Sequence, residues 1–429
     1  MELVSTNKLS NSVSIKQGIL NGMPLDNGLY IPKIIPKISK KFLENLSKLS
    51  FHEISFEISK LFFYKKTLTI SKIEDLVSKS FNFPTTYKYI DNNIFSLELF
   101  NGPTASFKDY GARYLSSLLS IFAFEKQQKF TILVATSGDT GGAVANSFLN
   151  MEGIYVKILF PKKRISKIQR LQLTTLGNNI QAIEVNGSFD DCQKLVKTAF
   201  LDKDLKNRNL TSANSINIAR LIAQSIYYFY IYGIVKSRGK KIIISVPSAN
   251  LGNLCGGLLS KKMGLPIDYF IAPTNDNSIF GDYLSTGLFN PIPSVPTLAN
   301  AMDCGNPSNF YRVLNFFNND YDKIKNQILS IHYSDNEIIK GINKLYKEHK
   351  YISCPHSIIG YLALKNLFKD KKYDKVFFST AHPSKFLNTV ELALNEKILI
   401  PKRILSLNKK KENSISINNE YQQLKEVLF

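Results

Sequence analysis

The chain has 429 residues, is 44% hydrophobic and 12% aromatic, and so has enough apolar mass for two or three structural units. Its four cysteines (Cys192, Cys255, Cys304, Cys354) form no CxxC pair and its five histidines form no HExxH, which argues against a disulfide framework and against a metal enzyme. The formal net charge of +21 raises nucleic acid as a partner, but the lysines are spread along the whole chain among abundant Asn and Ile, so the charge reads as composition bias on a solvated surface.

The first residues, MELVSTNKLSNS, lack a basic segment followed by an apolar stretch, and no apolar run approaches the ~20 residues a bilayer span needs. A cytoplasmic location is therefore expected, with neither a membrane nor a nucleic acid as partner. Residues 1–95 carry helical patterning, as in KKFLENLSKLSFHEISFEISKLFF, and are taken as a separate unit. From about residue 95 short β-branched runs alternate with helical stretches. FTILVATS, VKILFP, NIQAIEVN, KKIIISVPS, DYFIAPTN and DKVFFSTA read as buried strands, with helices over residues 190–200 and 218–235 between them. That alternation predicts right-handed βαβ units and mostly parallel sheets.

Four loops carry candidate chemistry. In NGPTASFKDYGAR, Thr104 or Ser106 is expected to cap a helix whose apolar positions begin at Phe107 and Tyr110, which puts Lys108 in its first turn. The positive end of the helix destabilises an ammonium there, and a neutral lysine amine is the nucleophile that makes a Schiff base. ATSGDTGGAVA follows a strand and opens a helix, an arrangement that binds an anion through converging N–H groups; it is neither a Walker loop nor GxGxxG. SVPSANLGNLCGGLL repeats the strand–loop–helix pattern, with Ser248, Asn250, Gly252 and Asn253 as side-chain and backbone phosphate donors. TSANSINIAR offers Asn214, Ser215 and Arg220 to a second anion. Two anion sites and one activated lysine together point to a phosphorylated aldehyde cofactor and an anionic substrate.

LFNGPTASFKDYGAR, ATSGDTGGAVA, SANSINIAR, VPSANLGNL and STAHPSKF, with DNGLYIP near the start, together resemble the threonine synthase family in its long bacterial and fungal form. The resemblance runs from about residue 5 to residue 400. It implies a tryptophan-synthase-β-like α/β fold (fold type II): two αβα open-sheet domains and a mostly helical N-terminal unit. The expected boundaries are 1–95 for the N-terminal domain, 96–129 with 239–429 for the large domain, and 130–238 for the small one. It further implies pyridoxal 5'-phosphate bound to Lys108, with Ser248, Ala249, Asn250, Leu251, Gly252 and Asn253 around its phosphate. Asp139 would lie near its 3-hydroxyl and Thr380 at its pyridine nitrogen. Arg113, Ser137, Gly138, Thr140, Asn214, Ser215 and Arg220 would hold the substrate, O-phospho-L-homoserine. The implied reaction gives L-threonine and phosphate with Lys108 as the catalytic base, in a monomer or homodimer without a metal.

Three positions depart from the family pattern: Asn101, Ser106 and Ala249, the last where glycine is usual. If that backbone position requires positive φ, alanine adds about 1–2 kcal/mol of strain and weakens cofactor binding. Two other readings share these loops: a threonine or serine dehydratase-like lyase, which needs no second phosphate site, and a non-catalytic cofactor-binding relative.

Overall fold

The computed structural model describes every residue except 92, 127, 128, 163, 164, 371 and 429. Strands β1 (Glu2–Ser5), β2 (Val13–Ser14) and β3 (Tyr30–Pro32) form a small antiparallel sheet in the order β2-β1-β3. Four helices complete this unit: Ile15–Asn21, Lys40–Asn45, Phe51–Phe63 and Ile70–Ser80. Phe51–Phe63 is typical of how they form. Ser50 and Glu53 make a reciprocal capping box, and Ile54, Ile58 and Phe62 recur every four residues on the buried face.

The chain then lays down β4 (Thr86–Asp91) and β5 (Ile94–Glu98), followed by β6 (Phe130–Ala135), β7 (Ile154–Pro161), β8 (Ile180–Asn186) and β9 (Leu210–Thr211). After these come β10 (Lys241–Ser245), β11 (Tyr269–Ile271), β12 (Ile328–Leu329), β13 (Tyr373–Ser379) and β14 (Ile415–Asn418). They make two sheets, of order β12-β11-β10-β13-β5-β4 and β14-β8-β7-β6-β9. Every pairing is parallel except β4 with β5. The central strands are buried over most of their length, which is why apolar residues predominate in them.

The sheets divide the chain differently from the expected boundaries in three places. β4 lies inside the first 95 residues but is the hairpin partner of β5, so the large domain starts by Thr86. β14 lies within 239–429 yet pairs with β8 of the small sheet, Ile415 opposite Ile183 through Asn418 opposite Asn186. Helix Ile218–Val235, assigned to the small domain, packs between helices Lys108–Lys126 and Gly252–Met263 of the large one. That helix is also long and apolar enough to cross a membrane by length and composition alone; here 83% of it is buried inside the fold, as a core helix.

Candidate active site

Loops leave the carboxyl ends of β5, β6, β10 and β13 toward one cavity, the usual position for a site on parallel sheets. The cavity has a volume of about 370 Å³, and its wall includes Lys108, Asp139, Arg220, the loop 247–253, His356 and Thr380. Ser137, Thr140, Asn214 and Ser215 line it as well.

The Lys108 loop is laced to the end of β13. Leu99 N–H donates to Ser379 O at 2.9 Å, Phe107 N–H to Thr380 O at 2.8 Å, and His382 N–H to Ala105 O at 3.0 Å. Lys108 is the first residue of helix Lys108–Lys126, as expected, but neither predicted cap acts as one. Thr104 instead donates through its N–H and hydroxyl to the two oxygens of buried Asp109, at 2.9 and 2.6 Å, and the Ser106 hydroxyl is buried without a partner. The carboxylate reaches back and folds the loop onto the helix.

The Lys108 side chain is 13% exposed, and its Nζ lies 3.7 Å from Asp139 Oδ2. Its amine is pushed down to about 8, chiefly by burial; Asp139 partly restores it, while Lys385 and Arg220 lower it further. Burial therefore lowers this amine whatever the helix end, the cause expected from the sequence, contributes. Burial opposes ionisation of Asp139, but Lys385 and Lys108 overcome it and hold the carboxyl well below its usual range. Lys385, fully buried, donates to Asp139 Oδ1 at 2.7 Å, and Gln169 Nε2 donates to the same oxygen at 3.0 Å. Burial, with Lys108 and Lys385 nearby, pushes His356 down to about 3, so its ring is neutral and Nε2 accepts from Ala301 N–H at 3.1 Å. Thr380 presents a neutral hydroxyl, and its N–H donates to Ser357 Oγ at 2.9 Å.

In the glycine-rich loop the positive φ falls on Leu251 (58°), and Ala249 is not among the residues with positive φ. Alanine at 249 therefore carries no strain of the kind anticipated. The side chains of Ser248 and Asn250, expected as phosphate donors, are turned onto the protein. Ser248 Oγ donates to Val246 O at 2.7 Å, Asn250 Nδ2 donates to Ser215 Oγ at 2.9 Å, and Asn250 Oδ1 accepts from Ser308 N–H at 2.5 Å. What is left to meet an anion is backbone N–H at the start of helix Gly252–Met263, together with Asn253 Nδ2, which is buried and unpartnered. Tyr227 and Tyr228 hold Asn253 in place by donating to its Oδ1 at 2.7 and 3.0 Å.

The second anion corner is built around Arg220. Its guanidinium is 1% exposed, donates from Nη1 to Ala213 O at 2.6 Å, and has an unpartnered Nε; no carboxylate among the described residues pairs with it. Burial lowers it to about 10. Ser215 Oγ accepts from Asn250, which leaves its own proton to donate into the cavity, and Asn214 Oδ1 is buried without a partner. Behind this corner, buried Arg312 donates to the carbonyls of Tyr30, Ser215 and Ile216 and to Asn309 Oδ1, pinning the loop to β3.

Two expected substrate residues stand apart. Arg113 lines no part of this cavity: its Nε donates to Ser80 O at 3.0 Å, and its Nη2 to Lys79 O at 2.7 Å and Asn82 Oδ1 at 2.8 Å. Five residues after Lys108 on one helix, it is turned to another face. Gly138 (φ 126°) is close by, but its N–H is engaged with Thr136 Oγ1 at 2.9 Å. Lys385, His356, Gln169 and Arg312 were not among the sequence-derived candidates. Lys385 does fall within STAHPSKF, where a lysine amid apolar and hydroxyl residues was the available signal.

Three family descriptions match the chain: "Pyridoxal-phosphate dependent enzyme" over residues 86–377, "Threonine synthase N terminus" over 2–81 and "Threonine synthase, C-terminal" over 357–428. A threonine synthase from Buchnera aphidicola subsp. Baizongia pistaciae is 40% identical over 436 residues, covering 100% of both chains. Among solved structures, threonine synthase from Escherichia coli superposes with a TM-score of 0.94 at 35% identity, over 100% of this chain and 99% of that one. The pyridoxal-phosphate-bound threonine synthase from Brucella melitensis gives 0.92 at 28% identity, over 100% and 98%.

Proposed function

The chain belongs to the threonine synthases among the pyridoxal-phosphate-dependent enzymes, and from that premise we propose which of its residues carry the reaction. It is a lyase of threonine biosynthesis that uses pyridoxal 5'-phosphate and acts on a small molecule, converting O-phospho-L-homoserine and water to L-threonine and phosphate. We further propose a cytoplasmic location and a monomer or homodimer.

The wall of the cavity fits the cofactor. A largely buried lysine amine held near 8 suits attachment to an aldehyde. The unpartnered Asn253 Nδ2 and the backbone N–H groups of residues 249–253 suit a phosphate. Thr380, a neutral hydroxyl in the wall, would serve an unprotonated pyridine nitrogen, and the Asp139 carboxylate would serve the 3-hydroxyl. When bound, pyridoxal phosphate supplies an electron sink for carbanions at the substrate's α- and β-carbons.

The remaining work falls to the chain. Lys108 Nζ takes the α-proton, because an amine lowered to about 8 is free base in about a tenth of molecules at pH 7, far more than an ordinary lysine, and it later returns protons to the substrate. Ser137 and Thr140 receive the substrate carboxylate beside the first turn of helix Asp139–Phe148. Arg220, Ser215 and Asn214 hold the substrate phosphate, and Arg220 stabilises the charge that grows on it as it leaves.

The observation that carries this reading is the Arg220 guanidinium, buried in the wall with no carboxylate partner among the described residues, in the same cavity as Lys108. A dehydratase would have no use for this second anion corner. Replacing it, Arg220→Ala, is expected to lower kcat/KM for phosphate release from O-phosphohomoserine by about 100-fold or more, while the absorbance of the bound cofactor persists. Undiminished phosphate release would overturn the substrate assignment.

A further inference from the structure

Lys385 is fully buried, and the reaction as described above gives it no task. Its Nζ donates to Asp139 Oδ1 at 2.7 Å and to Thr104 O, in the Lys108 loop, at 3.0 Å. Its own carbonyl accepts from Ser166 Oγ at 3.0 Å. It thus ties together the end of β13, the Lys108 loop and the start of helix Asp139–Phe148. A neutral donor would be enough for a tie, and Gln172 Nε2 already provides one to Thr104 O at 2.9 Å. Burying a second ammonium is costly unless it is paired, and Asp139 is the anion that compensates it.

We propose that Lys385 is a positioning residue for the reaction: by engaging Asp139 Oδ1 it keeps that carboxylate from pairing fully with Lys108 and so keeps the Lys108 amine available. The geometry is asymmetric in the required sense. Oδ1 takes Lys385 at 2.7 Å and Gln169 at 3.0 Å, whereas Lys108 is left with Oδ2 at 3.7 Å, beyond a good hydrogen bond. The charged and titratable groups that act on Lys108 are Asp139, Lys385 and Arg220. His356 stands beside the same cluster in neutral form, and Asp109 is engaged with Thr104 and acts on Lys385. Asp139 is thus the anion acting on Lys108, and Lys385 has first claim on it. Without Lys385, the Coulomb repulsion on Lys108 falls and Asp139 becomes free to hold it as an ammonium; both changes favour the protonated amine.

The inference rests on Lys108 being the reactive amine, and its test separates the two ideas. The full chain, freed of cofactor, is treated with an acylating reagent across pH, and modification of Lys108 is followed by mass spectrometry. For Lys385→Met the midpoint of reactivity is expected to rise by about one pH unit or more, with Lys385→Arg keeping the native midpoint. Lys385→Gln retains a donor without the charge and is expected to behave like Lys385→Met, so it serves if the methionine variant does not fold. An unchanged midpoint in Lys385→Met or Lys385→Gln overturns the proposal and reduces Lys385 to a structural tie. If instead Lys108→Ala still gives the cofactor absorbance of the native protein, the assignment of Lys108 itself fails, and this proposal with it.

Discussion

Leu251 has a φ of 58° and is 2% exposed, so the loop before helix Gly252–Met263 obtains its turn from a residue whose side chain is anchored in the core. The left-handed conformation costs about 1–2 kcal/mol in a residue with a Cβ, and burial of the leucine side chain offsets it by about 1.5–3 kcal/mol. Two residues earlier no such conformation exists, so Ala249→Gly is expected to leave cofactor affinity unchanged in a fluorescence titration. Ser106 is a different case. Its hydroxyl is buried without a partner, so Ser106→Ala should gain about 1 kcal/mol in urea unfolding. A loss of stability would mean that the hydroxyl has a partner of its own.

At the scale of elements, helix Asp139–Phe148 depends on a close approach to its sheet. A methyl group on Gly141 would come within 2.5–2.9 Å of Thr136, Leu173 and Ile158 side chains. Gly141→Ala is therefore expected to push the helix outward, lowering stability by about 1–3 kcal/mol and moving Asp139 away from Lys385. Thermal unfolding reads the first effect; pH-dependent cofactor absorbance reads the second. The elements that could be read from the sequence were those whose periodicity runs long enough to be distinctive, such as helix Ile218–Val235 and strands β6, β8 and β13. The two-residue strands β2, β9 and β12 carry no pattern of their own; they exist because a neighbouring strand offers an edge. The candidate site was legible where one loop carries both the residue and its setting, as with Lys108; in the 248–253 loop the positions could be read but not the turn of the Ser248 and Asn250 side chains onto the protein. It was not legible where helical phase decides, which turned Arg113 away, or where a residue becomes functional only through a distant partner. Lys385 and Asp139 are in contact although far apart in the sequence and on different domains, and Arg312 likewise reaches back to Tyr30.

For the whole molecule, acid is the condition under which the design weakens. Burial lowers His356 to about 3 and His382 to about 4, both below the ordinary value of about 6.5. The unfolded chain therefore binds more protons in that window, and stability falls as the pH drops from 6.5 toward 4. Asp303, raised to about 6 by burial, works in the opposite direction, because its folded form gains a proton first. Asp109 and Asp374, also raised by burial, act in the same direction as Asp303, so the histidine share of the acid loss is read by removing a histidine and following the urea midpoint between pH 7 and pH 4. His382→Gln should make the decline shallower.

The pairing of β14 with β8 has a consequence for how the molecule is made. On the ribosome β6, β7 and β8 emerge early, yet β8 keeps an open row of amides and carbonyls until Ile415–Asn418 have been synthesised. Ile417, Leu424 and Leu428 also complete the apolar cluster beneath that strand. During the whole translation of the large domain the nascent chain therefore displays an uncapped sheet edge, a template for pairing with a neighbouring nascent chain. A stop codon just before Ile415 would leave that edge open permanently, and the expected result is aggregation of a chain in which Lys108, the loop 247–253 and Arg220 are all present.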